Sequence, residues 1–234
     1  MRSQLPRVAA PISIPLLCMA LFIAATPHGC GQPPIDMSLL TGDPCEPPCW
    51  QGLTPGSSTE DDVNKFLETS RFVDLHCIFR SDVTTASAGV VGVGIQWRST
   101  AGRSRGVDSN QFVIEGGVLR YIFVYPDYDI TLDSLLEKYG PPEKVNVAIT
   151  GSFGGVPRVG VTLFYPTKGF TADLELPIDD ARLGPDSTVL RLWYSQAAPL
   201  EQFLELGKGY LGRTPEQWLE SLREWPGYGQ LQLP

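Results

Sequence analysis

From residue 72 to residue 194 the chain reads as short runs of β-forming residues separated by tight turns, and this spacing constrains the fold more than any other feature. Runs at 72–79, 88–97, 111–115 and 118–125 are followed, after one helical stretch, by runs at 144–149, 158–165, 169–175 and 188–194. Connections this short join antiparallel neighbours, whereas parallel strands need crossovers of a dozen residues or more. Gly116-Gly117 between two apolar runs is a hairpin signal, because a tight hairpin turn demands φ > 0 at its central positions. The chain therefore predicts antiparallel sheet.

Two helices punctuate the strands. The first opens at Thr59-Glu60-Asp61-Asp62 and carries Val63, Phe66 and Leu67 as one apolar stripe. Its three acids fit a first helical turn, where the positive end of the helix dipole favours carboxylates. The second runs from Thr131 to Tyr139 and is closed by Gly140 and stopped by Pro141-Pro142. The order is thus helix plus four strands, twice. A shift of 72 residues superimposes Thr59 on Thr131, Val63 on Leu135, Leu67 on Tyr139, Val73 on Val145, Leu75 on Val147 and Cys77 on Ile149. The expected fold class is α+β, with tandem helix-plus-four-stranded antiparallel units at 54–126 and 127–234. Further helices at 200–206 and 215–224 are expected to pack across an end of the second sheet.

Ahead of these units, residues 1–30 order Arg2 and Arg7, an apolar stretch from Val8 to Ala25, and then small and polar residues, as a secretory signal does. Pro11 and Pro15 shorten its apolar core below the length of a membrane span. Gly29-Cys30 places a small residue before a cysteine, so Cys30 is the candidate lipidation site; cleavage near Ala25 and an uncleaved anchor are the alternatives. Residues 31–53 then read as a tether and a cysteine-rich opening. Removing residues 1–30 takes away two arginines and no acid, which leaves 16 basic and 26 acidic side chains and a net charge of −10. Nucleic acid and anionic headgroups both demand clustered Lys and Arg, so neither is an expected partner, and contact with a membrane is expected only through the N-terminal anchor.

With Cys18 in the signal and Cys30 taken by lipid, Cys45, Cys49 and Cys77 remain. An oxidising compartment favours one disulfide and one thiol. Cys45 with Cys49 is the preferred pair, because Pro47-Pro48 bends the chain between them; Cys49 with Cys77 is the alternative.

The segment Pro44-Cys45-Glu46-Pro47-Pro48-Cys49-Trp50-Gln51-Gly52-Leu53-Thr54-Pro55-Gly56, followed by a capped helix, resembles the opening of uncharacterised bacterial lipoproteins with a P-C-x-x-P-C-W-x-G-x-x-P-G pattern. The resemblance covers residues 44–67. More loosely, two helix-plus-sheet units ending a helix in Tyr139-Gly140-x-Pro142 resemble the β-lactamase inhibitor protein fold and the SmpA/OmlA-like outer-membrane assembly lipoproteins. Those families are binding modules. Glu68-Thr69-Ser70 stands where their first helix ends in Gly-x-Pro, and no inhibitory loop can be matched.

Motifs of catalysis fare poorly. Gly102-Arg103-Ser104-Arg105-Gly106 has the form of a nucleophile elbow, but strands flank it and the sole histidine beyond residue 30, His76, precedes the serine. Cys45, Cys49, His76 and Cys77 are the ligand types of a zinc site, yet adjacent His76 and Cys77 would diverge on a strand. The glycine-rich stretches 89–94 and 151–155 lead into no helix, as a phosphate loop would, and Asp179-Asp180 lies in a polar loop. Trp193, Tyr194 and Trp218 fit a core, while 225–229, with Trp225 and Tyr228, exposes two rings unless it docks. No catalytic, cofactor or metal residues are assigned. The expected function is a non-catalytic protein-binding or envelope-assembly module whose partner is another envelope or extracellular protein. The alternative is a secreted hydrolase with a site assembled from separate strands.

Overall fold

A computed structural model describes residues 35–233 apart from 86–88, 102–108, 152–155 and 209–212. Cys30, the rest of the signal segment predicted from the sequence, and the Gly102–Gly106 motif lie outside the described residues.

The chain enters through a short helix α1 (Ser38–Thr41) and the cysteine-rich turn, then forms α2 (Glu60–Thr69). Thr59 caps α2 in a capping box: its hydroxyl accepts from the Asp62 N–H, and the Asp62 carboxylate accepts from the Thr59 N–H at 2.8 Å. Those two bonds satisfy donors that a helix start leaves orphaned. The Thr59 N–H, and after it the Thr59 hydroxyl donating to the same carboxylate at 2.8 Å, hold the Asp62 carboxyl below its ordinary pKa. Asp62 is therefore a capping group, and Glu60 pairs with Arg80 at 3.3 Å.

Strand β1 (Phe79–Thr85) is the first element that departs from expectation. The alternation at 72–79 predicts a strand there, but Leu75–Cys77 is a 3-10 turn, opened by the Asp74 carboxylate accepting from the His76 N–H at 3.0 Å. A short acid that bonds its own backbone competes with ladder pairing. The true strand is the polar run that follows. Next come β2 (Gly89–Trp97), β3 (Asn110–Glu115) and β4 (Val118–Val124), with Gly116 and Gly117 both at positive φ in the β3–β4 turn. Then follow α3 (Leu132–Tyr139), β5 (Lys144–Thr150), β6 (Arg158–Tyr165), β7 (Phe170–Pro177), β8 (Arg182–Leu183) and β9 (Val189–Tyr194). The chain closes with α4 (Leu200–Leu206), α5 (Pro215–Ser221), β10 (Leu222–Arg223) and β11 (Gly229–Gln230). Sequence predicts helix to 224, whereas α5 ends at Ser221 and its continuation joins the sheet.

The protein is α+β and mostly β. Nine strands form one antiparallel sheet in the order β1-β2-β3-β4-β9-β7-β6-β5-β10. Its middle is the pairing of β4 with β9, where Ile122 faces Tyr194 and Phe123 faces Trp193. A single sheet thus replaces two separate ones. A smaller sheet pairs β8 with β11.

Side chains alternate between the two sheet faces. On the first face Val63 and Leu67 of α2, Leu132 and Leu135 of α3, and Leu39, Trp50 and Leu53 of the opening segment bury against Ile95, Phe112, Ile122, Val161, Leu174 and Leu192. On the second face α4 and α5 bring Phe203, Leu204 and Trp218 onto Val113, Tyr121, Phe164 and Trp193. These helices cover the centre of the whole sheet, not one end of its second half.

Candidate functional site

The opening segment is a structural plug. Trp50 is 1% exposed and its ring lies 5.3 Å from Phe66, 5.5 Å from Trp97 and 5.9 Å from Phe112. Asp36 holds it by accepting from the Trp50 indole N–H at 2.6 Å, the Gln51 side chain at 2.7 Å and the Ser38 N–H at 2.9 Å. Glu46 pairs with Lys138 of α3 at 2.9 Å, and the Tyr139 hydroxyl donates to the Leu39 carbonyl. Cys45 and Cys49 lie at disulfide distance, 2.01 Å, and Cys77 is free. Spacing made that pair legible; nothing in the sequence told that Trp50 would reach the sheet.

The C-terminal segment docks as well. Trp225 packs at the edge of the main core, and the exposed Tyr228 donates to the Asp133 carboxylate at 2.9 Å. Gly229 and Gln230 pair with Leu183 and Arg182. The two rings that sequence leaves unplaced therefore have partners within the chain, and they do not form the site.

Beside the area that α4 and α5 cover, the second face carries a polar row. Its alternation sets Thr162 of β6, Asp173 of β7 and Arg191 of β9 in one row beside the row that α4 and α5 cover. The Asp173 carboxylate accepts from Thr162 at 2.7 Å and from Arg191 twice, at 2.8 Å and 2.6 Å. A fork of this kind fixes both side chains. Burial opposes the Arg191 charge, but Asp173 and the Tyr125 side chain outweigh it and hold the guanidinium above its ordinary pKa. Beyond the row the sheet runs into a cleft of about 290 Å³ lined by Tyr125, Asp129, Arg158, Glu175, Thr188 and Leu190, among others. The cleft sits where the β4–α3 connection meets the ends of β6, β7 and β9.

Chemically the cleft offers both signs of charge, hydroxyl groups and two aromatic rings, Tyr125 and Tyr128, set between strand ends and the β4–α3 connection. Where a pKa moves, it moves away from neutrality: Asp62, Asp74 and Glu216 go down through hydrogen bonds to their charged forms, and Tyr139, Tyr165, Tyr194 and the cleft's own Tyr128 go up through burial. The Cys77 thiol also goes up, because Asp74 accepts its hydrogen bond. Sequence alone missed the cleft, whose residues come from four separated stretches with no shared motif. Comparison with protein-family models, with curated proteins and with solved structures returned no match.

Proposed function

We propose that the chain is an extracytoplasmic lipoprotein, anchored through Cys30, whose folded part is a non-catalytic protein-binding or envelope-assembly module. The observation that carries this reading is the open polar strip of the second face. There the fixed Thr162–Asp173–Arg191 row adjoins the cleft at Arg158 and Glu175, beside the centre of that face that α4 and α5 cover. Fixed charges of both signs on strands suit recognition of a protein surface, which they orient and discriminate. The partner is another envelope or extracellular protein; nucleic acid does not fit so acidic a chain, and the membrane enters only through the anchor.

We read the sheet further as two tandem helix-plus-four-strand units joined edge to edge between β4 and β9. The supporting detail is in the backbone. Glu60 N–H bonds to the Gly117 carbonyl and Leu119 N–H to Ser58, and correspondingly Leu132 N–H bonds to Ser187 and Val189 N–H to Ile130. Each helix start is thus sewn to the last strand of its own half.

Chemical cross-linking of the full chain in native envelopes, followed by recovery of its complexes, tests the function. One protein recovered in stoichiometric amount, and lost on Glu175→Lys or Arg158→Glu, is the expected result. Turnover in a broad hydrolase screen with no partner recovered would retire the binding reading. For location, Cys30→Ala is expected to release the folded protein from membranes.

A further inference from the structure

We propose that β1 is a self-association edge, on which two copies of the chain pair β1 against β1 about a two-fold axis at Ser81. This does not depend on the binding function proposed above. Strand β1 is the last strand on one side of the sheet and pairs only with β2, so its outer row of N–H and C=O groups has no ladder partner among the described residues. Such an edge is a template for another strand, and natural sheets blunt it when it is not used. Here the edge carries Phe79, which is 63% exposed, and it follows Leu75, which is 57% exposed.

Symmetry selects one register. A two-fold axis normal to the sheet preserves its faces, so it must pass through a residue and not between two. An axis at Arg80 sets Arg80 against its own copy, an axis at Asp82 sets two carboxylates together, and an axis at Val83 falls on the irregularity between Val83 and Thr84. Like charges directly opposite destabilise a strand pair, and unlike ones stabilise it. With the axis at Ser81, Arg80 faces the other copy's Asp82 and Phe79 faces the other copy's Val83, each contact occurring twice. The two kinds of contact fall on opposite faces. Arg80 lies on the α2 side, where Glu60 at 3.3 Å and Asn64 hold its guanidinium, and Val83 lies on the α4–α5 side against the second core. Asp82 is exposed and has no partner among the described residues. In a chain of net charge −8 this stretch is locally neutral, which removes the repulsion that acidic copies otherwise meet. The regular stretch of β1 is short, so the pair belongs to the weak, reversible class.

Site-directed cross-linking of the full chain tests this, in a Cys77→Ala background that removes the free thiol among the described residues. Ser81→Cys places two thiols across the axis, and a short bis-maleimide is expected to give a covalent dimer on denaturing gels. Thr84→Cys, more exposed than residue 81 on the same strand but away from the axis, is expected to give little. Asp82→Arg alone and Arg80→Asp alone each set like charges opposite, and each is expected to lower the cross-linked yield of Ser81→Cys roughly tenfold or more. Co-expressing the two restores unlike pairs at both positions and is expected to restore the yield, a recovery that misfolding cannot produce. Equal cross-linking at residues 81 and 84, no cross-linking at 81, or no recovery on mixing would overturn the proposal.

Discussion

Thr59 and Thr131, 72 residues apart in sequence, stand at the same place in two helices: each caps its helix and each forms an isolated β-bridge to the start of a central strand, Thr59 to Val118 and Thr131 to Thr188. The two caps therefore do more than satisfy orphan N–H groups. They fix where each helix crosses the sheet, and with it which residues meet the core.

Truncating Leu67 or Leu135 to Ala is expected to cost roughly 2–5 kcal/mol each, because both are buried among large apolar neighbours and would leave cavities. Glu68→Ala and Glu137→Ala, exposed on the same helices, are expected to stay within about 0.5 kcal/mol. Urea unfolding midpoints check the contrast; a mild effect at either leucine would show that its helix does not bear on the sheet.

Asp36→Ala removes an acceptor shared by the Trp50 indole, the Gln51 amide and the Ser38 N–H. A buried indole N–H left without a partner costs about 1–3 kcal/mol, so the variant is expected to be destabilised by that order, with Trp50 fluorescence shifted to the red. Asp36→Asn keeps an acceptor oxygen and is expected to recover part of the loss.

The Cys45–Cys49 bridge spans only four positions, so on the chain-entropy view it restrains the unfolded chain weakly. Replacing both by Ala is expected to lower stability by on the order of 2 kcal/mol and Tm by a few degrees while the fold persists. Peptide mapping under non-reducing conditions is expected to leave Cys77 as the thiol that alkylates.

Alkaline pH probes a different group of residues. Burial raises the pKa of Tyr128, Tyr139, Tyr165 and Tyr194, with the Asp36 and Glu46 carboxylates adding to it at several of them. The unfolded chain ionises these phenols near pH 10, the ordinary value, while the native state keeps them neutral to higher pH. Above about pH 10 the unfolded state thus binds fewer protons, and stability falls as pH rises. The contribution is fully present below that point. Stability measured against pH, with tyrosinate absorbance followed in parallel, is expected to show ionisation coinciding with unfolding. Tyr165→Phe is expected to make the decline shallower.

Helices and hairpins were legible because their signals are local. Thr59 with Asp62, Thr131 with Gly140, and Gly116-Gly117 each specify geometry within a few residues, and the structure bears them out. Strand β1 was misplaced because an edge strand is polar on its outer side; Arg80, Ser81, Asp82, Thr84 and Thr85 read as loop, while the apolar residues at 72–79 drew the assignment upstream. The strand portion of the 72-residue shift fails for the same reason, since Leu75 and Cys77 lie in a 3-10 turn. The polar row and cleft were out of reach. Thr162, Asp173 and Arg191 meet only through strand order, and no local pattern announces that β9 inserts between β4 and β7.

The far side of the sheet ends differently from β1. There β10 lies along Val145 and Asn146 of β5, with Lys144 paired to Glu224 and Arg223 bonded to the Gln232 carbonyl at 2.8 Å, so the chain's own tail blunts that edge with charge. A ribbon sticky at both ends polymerises, and one sticky at a single end can only make pairs. By laying two residues and a charged pair along the start of that margin, the tail hinders pairing there and leaves β1 as the more open end for any growth of the sheet.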